Sequence, residues 1–390
     1  MRILLGTATF YPEANGVSVF VQQLALGLKA RKHDVCIIAP SMTTRDERRD
    51  YKGIPVFGFR SLRFPINKQF RFCVSPALHL ILEREVRRFR PDVVHVQDPF
   101  TINLSLTRIA KKMGLPIVAT HHTDISMYEE YYRKLIPKAL RGRVRDWEWM
   151  FLCWYFSLMS AVTTPTAAAG EPLKEYGLRQ RVRVISNGID VRRFASVDSG
   201  ARIRRRYGIP GKPLLLSVGR MDPEKRVNVI LRGLALARKT TDVHLLVVGK
   251  GKEEKRLKRL TKKLRLEDHV TFTGFIPNAE LPELYAACDC FIVAGVSETQ
   301  GIVTMEAMAA GLPVIAADAL ALPELVHDRK NGYLFPPDDE EAVAACIRAV
   351  FSGDARRKKM GQESLRIIRS HDIDHTVDAF EALYTALAKG

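Results

Sequence analysis

Residues 290–318 of the 390-residue chain read CFIVAGVSETQGIVTMEAMAAGLPVIAAD. The segment starts with an apolar run typical of a buried strand. It passes through a polar loop into small and apolar residues at helical spacing, and ends in a second apolar run. Gly311 closes the helical stretch, as glycine commonly does after the last helical residue. A strand, a helix and a strand in this order predict a βαβ unit with parallel strands.

Two carboxylates eight residues apart, Glu298 and Glu306, give this unit its chemistry. Glu298 falls in the loop after the first strand, where it can accept hydrogen bonds from sugar hydroxyls or balance developing positive charge. The backbone N–H groups of Gly301, Ile302 and Val303 lie at the predicted helix start and can meet an anion. A carboxylate at Glu306, among apolar residues, is costly unless it is paired, which favours a binding role such as contact with a ribose diol.

A pair of cations precedes this unit in VGRMDPEKR, residues 218–226. Arg220 follows a predicted strand and Lys225 lies near the start of the next helix. Arginine can bind phosphate in bidentate fashion and lysine acts as a point charge, so the two residues fit a pyrophosphate clamp. Taken alone, the pair could equally be surface charges at a helix start. No Walker GxxxxGK[ST] sequence is present, which disfavours P-loop chemistry.

The first half of the chain places polar residues after its own strands. A tight turn at Asn15-Gly16 separates the first strand from a helix, and its backbone N–H groups can hold an anion or a sugar hydroxyl. The residues HHTD, 121–124, follow the apolar run PIVAT and lie at a strand end. One of these four is a candidate for substrate contact, and a structural role for a single histidine here stays open.

Strands and amphipathic helices alternate along the whole chain, which is the pattern of parallel sheets covered on both faces. The predicted strands are RILLGTA, DVCIIAP, PVFGF, VVHVQ, PIVATHH, AVTTPT and VRVIS in the first half, and PLLLSVGR, VHLLVVG, VTFTGF, CFIVAG and PVIAAD in the second. We therefore predict two doubly wound domains, residues 1–193 and 194–370, followed by a terminal helix over 371–390. Ligands bind outside the carboxyl ends of strands in such sheets, so two facing domains would hold the substrate in a cleft.

Composition excludes several classes of protein. With 46% hydrophobic and 27% charged residues the chain is neither disordered nor collagenous. The six cysteines lie mostly inside apolar runs, which indicates buried thiols in a reducing compartment and neither a disulfide framework nor a zinc site. The apolar part of residues 149–170 is too short to span a membrane, and the start lacks a secretory signal. We expect a cytoplasmic protein.

The net charge of +18 predicts an anionic partner. Residues 1–190 hold 29 Lys and Arg against 17 Asp and Glu, so the first half carries most of the excess. Basic and aromatic residues alternate in FGFRSLRFPINKQFRF (57–72) and YYRKLIPKALRGRVRDWEWMF (131–151), a mixture that suits an anionic membrane surface. Ordinary solvated helix faces stay an alternative. Nucleic acid is disfavoured because no helix-turn-helix, RNP or zinc-finger signature accompanies the charge.

In the order NGV, HHTD, VISNGID, VGRMDPEKR, SETQGIVTMEAMAAGLPVIA and NGYLFPPDD, these segments resemble the retaining glycosyltransferases of family 4 over nearly the whole chain. The resemblance implies the GT-B architecture of two facing Rossmann-like domains, with an acceptor-binding, membrane-facing first domain and a nucleotide-sugar-binding second domain. It implies that the terminal helix crosses back to the first domain. It also implies that Arg220 and Lys225 bind the donor diphosphate, that Glu306 holds the donor ribose, and that Glu298 holds the transferred sugar.

The resemblance extends these assignments to the donor's surroundings. His122 would contact the transferred sugar near the reacting carbon, and Gly16 would let the backbone approach the donor phosphate or the acceptor. Gly301, Ile302 and Val303 would complete the donor site. Members of the family generally retain anomeric configuration, with the leaving phosphate oxygen helping to take the acceptor proton. No metal and no cofactor other than the nucleotide sugar is then expected.

The acceptor side is similar to that of bacterial diacylglycerol glucosyltransferases, which implies a lipid acceptor and peripheral attachment to the inner face of the cell membrane. The residues assigned to acceptor or membrane contact are Arg60, Arg63, Phe64, Lys68, Arg71, Tyr128, Lys134 and Lys138. Asp124-Ile125-Ser126 interrupts the motif of those enzymes.

The favoured reaction is transfer of a hexose from UDP-glucose to diacylglycerol. Three alternatives stay open: a GDP-mannose-dependent enzyme acting on phosphatidylinositol or another lipid-linked acceptor, an enzyme with a soluble sugar acceptor, and a binding protein without turnover.

Overall fold

A computed structural model describes residues 1–13, 15–63, 71–73, 77–122, 125, 136–195 and 200–389. This part of the chain forms two compact units. Unit 1 comprises Met1–Gly188 and Ile373–Gly390, and unit 2 comprises Ile189–Asp372.

The strands and helices alternate as the sequence predicts. The strands are β1 (Arg2–Gly6), β2 (Asp34–Pro40), β3 (Glu47–Tyr51), β4 (Ile54–Phe59), β5 (Ser61–Arg63), β6 (Arg71–Cys73), β7 (Val93–Val96), β8 (Ile117–Thr120), β9 (Ala161–Thr164), β10 (Val182–Val184), β11 (Leu214–Val218), β12 (His244–Val248), β13 (Val270–Gly274), β14 (Cys290–Val293), β15 (Val314–Ala317) and β16 (Gly332–Phe335). The helices are α1 (Gly16–Ala30), α2 (Leu78–Phe89), α3 (Thr101–Lys112), α4 (Lys138–Ser157), α5 (Ala167–Glu175), α6 (Val191–Ala195), α7 (Ala201–Arg206), α8 (Val227–Ala237), α9 (Glu254–Lys263), α10 (Leu281–Ala286), α11 (Ile302–Ala309), α12 (Leu322–Leu325), α13 (Glu340–Phe351), α14 (Asp354–Ile368) and α15 (Ile373–Lys389).

Unit 1 contains an eight-stranded sheet in the order β10-β9-β8-β7-β1-β2-β4-β3. Every neighbouring pair is parallel except β3 with β4, which is antiparallel. The strand β3, with the sequence ERRDY, was not predicted because its charged residues give no apolar run. It lies at the edge of the sheet, where charged side chains are common. The short strands β5 and β6, which form a separate antiparallel pair, also escaped prediction.

Unit 2 contains a six-stranded, wholly parallel sheet in the order β13-β12-β11-β14-β15-β16. Numbered within the unit, this order is 3-2-1-4-5-6, that of the dinucleotide-binding Rossmann fold. The four central strands are almost fully buried because helices cover both faces of the sheet. The strand order reverses between β11 and β14, and this is the position at which such sheets bind ligands.

The structure divides the chain between Gly188 and Ile189, five residues before the boundary at 193 that the sequence indicates. The difference arises because α6 packs in unit 2, where the Phe194 ring lies 5.7 Å from that of Tyr285. The polar NGID segment looked like the end of the first domain, but the apolar side chain that follows it belongs to the second core.

The terminal helix α15 packs against α1 in unit 1. Val377, Phe380, Leu383 and Tyr384 share its buried face, as the helical spacing of the sequence predicts. The Tyr384 hydroxyl lies 2.6 Å from Nδ1 of His95, whose Nε2 lies 2.7 Å from the Thr120 hydroxyl. His95 is fully buried, and burial lowers its pKa to about 3, so the imidazole is neutral and needs both partners.

Within the described residues, no helix is both long enough and apolar enough to span a membrane. All six cysteines are free thiols, five of them buried and Cys36 partly buried.

Removing the Tyr384 hydroxyl leaves a buried ring nitrogen of His95 without a partner. We expect Tyr384→Phe to lower the free energy of unfolding of unit 1 by about 1–3 kcal/mol, measured by urea denaturation. Tyr11→Phe is the matched control, because Tyr11 is 52% exposed and makes no side-chain hydrogen bond to any described residue. Equal effects of the two substitutions would contradict a stabilising role for this network.

Candidate active site

The strand order of unit 2 brings two polar loops together. The loop after β11 carries Arg220 and Lys225, and the loop after β14 carries Glu298. One small cavity is lined by these three side chains together with the carboxyl ends of β11, β12 and β14. The structure therefore gathers at one point residues that lie more than 70 positions apart in the sequence.

Two carboxylates orient the Arg220 guanidinium. It donates hydrogen bonds to Asp222 and, at 2.8 Å, to Glu224. Asp222 is buried, and its other oxygen accepts the backbone N–H of Lys252 at 3.0 Å. Sequence reasoning missed Asp222 and Glu224, although their spacing in RMDPEK, two and four residues after the arginine, was the available signal.

Lys225 forms an ion pair with Glu298, with Nζ 2.5 Å from Oε1. Both side chains are largely buried, at 25% and 12% exposure. The sequence assigned Lys225 to a diphosphate and Glu298 to a sugar, and the structure joins the two directly. Gly295 leaves room for the carboxylate, because a Cβ there would lie 3.1 Å from Oε1 of Glu298.

Gly301 is the N-cap residue that precedes α11. Its backbone is left-handed, with φ +80°, a conformation that favours glycine. The first N–H groups of a helix have no partner within it, so those of Ile302 and Val303 are available for an anion at this end. Gly301 follows Glu298 by three residues in the loop between β14 and α11. The helix start and the carboxylate therefore both lie at the carboxyl edge of the sheet.

Glu306 lies in the second turn of α11, partly buried. The fully buried Tyr285 donates its hydroxyl to Oε2 of Glu306 at 2.8 Å. Burial raises the pKa of Glu306 to about 7, and the Tyr285 hydrogen bond and the charge of Arg193 oppose this rise. Sequence reasoning required a partner for this carboxylate but did not identify Tyr285, which lies 21 residues away.

His122 follows β8 in unit 1 and is buried. Its Nε2–H donates to Oε1 of Gln97, after β7, at 2.8 Å, and its ring packs against Phe20 at 4.9 Å. Burial, with smaller contributions from His95 and His121, holds the His122 pKa well below its ordinary value. The imidazole is therefore neutral. Gln97 was not singled out from the sequence.

The other members of the HHTD segment differ in their surroundings. His121 packs between the rings of Trp149 and Phe156, and burial lowers its pKa to about 4. Its place among aromatic rings is that of a core residue. Thr123 and Asp124 lie outside the described residues.

The predicted Asn15-Gly16 turn is the start of α1. The Asn15 side chain caps this helix by accepting the Ser18 N–H at 2.9 Å, and Gly16 is its exposed first residue. Nearby, Asp98 after β7 accepts the backbone N–H of Ala8 at 2.7 Å. Burial raises the pKa of Asp98 to about 6. The sequence did not single out Asp98, which ties together the loops after the two central strands.

Several residues assigned to acceptor or membrane contact are described. Arg60 lies between β4 and β5, Arg63 and Arg71 lie directly opposite each other in the β5–β6 pair, and Lys138 is the exposed first residue of α4. The remaining ones, Phe64, Lys68, Tyr128 and Lys134, lie outside the described residues.

Two protein-family models match the chain. Residues 14–193 match "Glycosyltransferase Family 4" and residues 200–366 match "Glycosyl transferases group 1". The two matches fall on unit 1 and unit 2 respectively.

Relatives of known activity match over almost the whole chain. A GDP-mannose-dependent alpha-mannosyltransferase of Mycobacterium tuberculosis is 32% identical over 93% of this chain and 93% of its own length. An alpha-monoglucosyldiacylglycerol synthase of Streptococcus pneumoniae is 28% identical, over 94% and 82%. A GDP-mannose-dependent alpha-(1-6)-phosphatidylinositol monomannoside mannosyltransferase of Mycolicibacterium smegmatis is 35% identical, over 92% and 91%. Among solved structures, sucrose-phosphate synthase from Thermosynechococcus elongatus superposes with a TM-score of 0.79 at 20% identity, covering 99% of this chain and 98% of its own.

Two Rossmann-like parallel sheets, with cations and carboxylates at the carboxyl ends of the strands of unit 2, define the GT-B class of glycosyltransferases. Within that class, the chain belongs to glycosyltransferase family 4. The resemblance inferred from the sequence is confirmed at the level of family and fold.

The raised pKa of Glu306 can be measured by a carbon-detected NMR titration, with Glu306→Gln identifying the resonance. We expect an apparent pKa near 7. Tyr285→Phe should raise it further, because the lost hydrogen bond stabilises the ionised form. Tyr207→Phe, which changes a partly buried tyrosine of unit 2 that makes no side-chain hydrogen bond in the described structure, should leave it unchanged.

The same shift predicts the effect of pH on stability. The carboxyl of Glu306 binds a proton more tightly in the folded chain than at its ordinary pKa of 4.5. Ionisation of Glu306 therefore lowers the stability of unit 2 as pH rises from about 4.5 to about 7. Glu306→Gln should remove this contribution, and an unaltered slope in that interval would contradict the assignment.

Proposed function

We propose that this protein transfers a hexose from a nucleotide sugar to a membrane lipid acceptor, with retention of anomeric configuration and without a metal. The convergence of Arg220, Lys225 and Glu298 at the strand-order reversal of unit 2 carries the proposal. Cations and a helix start at this position fit a diphosphate, and carboxylates beside them fit sugar hydroxyls.

The two cations would neutralise the leaving diphosphate. Arg220 is held by Asp222 and Glu224, so its orientation is set before the donor binds. Fixed positive groups that face developing negative charge supply a large part of the rate enhancement of such reactions. In this proposal the protein's own cations take the place that a divalent metal ion occupies in other transferases.

Donor binding would exchange the Lys225–Glu298 ion pair for contacts with the substrate. Lys225 would turn to the diphosphate, and Glu298, released from the lysine, would accept hydrogen bonds from hydroxyls of the transferred sugar. The exchange keeps a partner on each buried charge, which avoids the cost of leaving either one unpaired. Glu306 would accept hydrogen bonds from the donor ribose.

In unit 1, His122 would contact the transferred sugar near the reacting carbon. The imidazole is neutral and donates from Nε2 to Gln97, so the ring is held in one orientation at the carboxyl ends of β7 and β8. We assign no general base, because in front-face transfer the leaving phosphate oxygen takes the acceptor proton.

The candidate reactions differ in their sugar donor. The sequence favours UDP-glucose, and the diacylglycerol-acting relative supports a glucosyl donor. Two of the relatives named above depend on GDP-mannose, which supports the alternative of a mannosyltransferase acting on phosphatidylinositol or another lipid-linked acceptor.

The outward face of α4 supports action at a membrane. Leu140, Trp147, Met150, Phe151 and Trp154 share one side of this helix and are here called the aromatic stripe. Trp147 and Met150 are 65% and 61% exposed, and the rings of Trp147 and Phe151 stack at 5.9 Å. Large apolar side chains at such exposure are typical of interaction surfaces.

The first two turns of α4 add positive charge. Four cations, Lys138, Arg141, Arg143 and Arg145, precede Trp147, the first aromatic residue of the stripe. Aromatic side chains that enter the acyl boundary and cations that meet anionic headgroups together give a peripheral attachment. We therefore propose that the protein is cytoplasmic and attaches peripherally to the inner face of the cell membrane.

Removing the stripe should weaken binding to vesicles. We expect Trp147→Ser and Trp154→Ser each to lower the partition coefficient onto anionic vesicles about tenfold, since burial of a large apolar side chain contributes about 1.5–3 kcal/mol. Cosedimentation measures this coefficient. Phe275→Ser, at a 57% exposed aromatic residue of unit 2, is the control and should have no effect. Equal loss in all three variants would disprove α4 as the attachment site.

The reaction itself is tested by transfer of labelled sugar from a panel of UDP- and GDP-sugars into vesicles that contain diacylglycerol or phosphatidylinositol. We expect a glycolipid product with the wild type and none with Glu306→Ala. Lys225→Ala should lower kcat by about 10²–10³ through loss of leaving-group stabilisation. Lys262→Ala, at an exposed lysine of α9, should retain activity.

The panel also separates the alternatives. Hydrolysis of the nucleotide sugar without a lipid product would support the donor site and exclude a lipid acceptor. Transfer to a soluble sugar would show that the acceptor is that sugar and not a lipid. Absence of turnover together with vesicle binding that Glu306→Ala leaves intact would favour a binding protein.

A further inference from the structure

The loop after β1 carries a carboxylate for which the proposed transfer has no role. Glu13 is partly buried, and its backbone N–H donates to the carbonyl of Phe10 at 3.0 Å. Within the described part of the chain its side chain has no hydrogen-bond or ion-pair partner. Burying a carboxylate without a partner is costly, so the position needs an explanation.

Three arginines from three strands lie within electrostatic range of this carboxylate. They are Arg49 on β3, Arg63 on β5 and Arg71 on β6, and the charge of each one acts on Glu13. Arg63 and Arg71 lie directly opposite each other across the β5–β6 pair. None of the three forms an ion pair with a carboxylate of the described residues, although all are close enough to Glu13 to influence it.

Arg71 is held in place by the backbone around it. Its Nε donates to the Ser61 hydroxyl at 2.8 Å, and Nη2 donates to the carbonyl of Met42 at 3.1 Å. The Ser61 hydroxyl in turn donates to the carbonyl of Ser41 at 2.6 Å. A guanidinium fixed in this way loses little side-chain entropy when it binds an anion.

Arg49 has donors that lack acceptors. Its Nε and Nη2 are buried and have no hydrogen-bond partner among the residues that the structure describes, and its guanidinium lies over the Phe10 ring at 5.8 Å from the centroid. Buried donors in native proteins are nearly always satisfied by protein, water or a ligand. The unsatisfied donors of Arg49, together with a partly buried Glu13 carboxyl that has no partner among the described residues, point to a bound molecule that offers an acceptor to the one and a donor to the other.

Resting on the proposed function, we propose that Arg49, Arg63 and Arg71 bind the phosphate of a phosphorylated lipid headgroup, the acceptor, while Glu13 accepts a hydrogen bond from a hydroxyl of that headgroup. Guanidinium groups bind phosphate oxygens strongly. Arg49 offers Nε and Nη2 for this purpose, and Arg71, whose hydrogen bonds to neighbouring backbone and hydroxyl groups use Nε and Nη2, offers Nη1. Diacylglycerol offers a hydroxyl but nothing for the arginines.

Two further features agree with this assignment. Burial raises the pKa of Glu13 to about 7, against the effect of the arginines, so near neutral pH the carboxyl repels a phosphate less than a fully ionised group would. In addition, Glu13 follows β1, which neighbours β7 and, beyond it, β8 in the sheet. Their carboxyl ends hold Asp98 and His122, so the acceptor would lie at the edge where the sugar is transferred.

Binding of soluble headgroups tests the site independently of catalysis. The probes are glycerol 1-phosphate and myo-inositol 1-phosphate, with glycerol, myo-inositol and inorganic phosphate as comparisons, titrated into the full chain by NMR. We expect the two phosphate esters to bind, and Arg63→Gln, at an exposed position, to weaken their binding at least about tenfold. Arg88→Gln, at an exposed arginine of α2, is the charge-matched control and should change nothing.

Transfer kinetics give the second arm. In vesicles of matched surface charge, Arg49→Gln and Arg63→Gln should raise the KM for phosphatidylinositol about tenfold, with kcat and the donor KM within twofold of the wild type. Glu13→Gln should raise that KM as well, because the hydroxyl loses a charged acceptor. Circular dichroism shows whether each variant is folded. If Arg49→Gln is unfolded, the KM of Arg63→Gln alone tests the site.

The outcomes separate the two proposals. Phosphate esters that bind no better than their alcohols, inorganic phosphate that binds as tightly as the esters, or variants indistinguishable from Arg88→Gln would overturn the phosphate site. Transfer to diacylglycerol in preference to phosphatidylinositol would also overturn it and leave the proposed function intact. Binding of the phosphate esters that depends on Arg63, without transfer to any lipid, would support the phosphate site and disprove the proposed transfer to a lipid.

Discussion

The Lys225–Glu298 ion pair joins the loops after β11 and β14, the two strands between which the order of the unit 2 sheet reverses. At this position the helices that follow neighbouring strands go to opposite faces of the sheet, which leaves the carboxyl ends uncovered. Charged side chains can therefore remain there, half-buried and paired with one another. The carboxylates that hold Arg220 lie in the loop after β11, and the start of α11, the helix that carries Glu306, follows the loop after β14.

The two units handle charge in different ways. In unit 2, Arg220 and Lys225 are each matched to a carboxylate within hydrogen-bond distance. Unit 1 keeps the histidines at its strand ends neutral, because burial lowers the pKa of His95, His121 and His122 alike. A diphosphate calls for fixed positive charge, and a sugar hydroxyl calls for a neutral hydrogen-bonding group.

The positive excess of unit 1 also separates into two kinds of surface. On α4 the cations precede an exposed row of aromatic side chains, which in the proposed function would bind a membrane interface without selecting a particular headgroup. Around Glu13 the cations are few, Arg71 is held by neighbouring backbone and hydroxyl groups, and Arg49 is partly buried. In the proposal above, this arrangement would select one headgroup. A count of basic residues along the sequence treats these two surfaces as one.

The sequence alone determined the family, the two parallel sheets, most of the strands and the residues at the carboxyl edge of unit 2, because these depend on apolar periodicity and short motif spacing. Tertiary structure alone decided the partners. Tyr285 on Glu306, Gln97 on His122 and the arginines around Glu13 come from elements at least 21 residues away, and β3 is a strand only because β4 offers it an edge. The reason is physical: apolar periodicity is a local property of the chain, whereas a buried charge is compensated by whichever side chain the folded sheet brings to it.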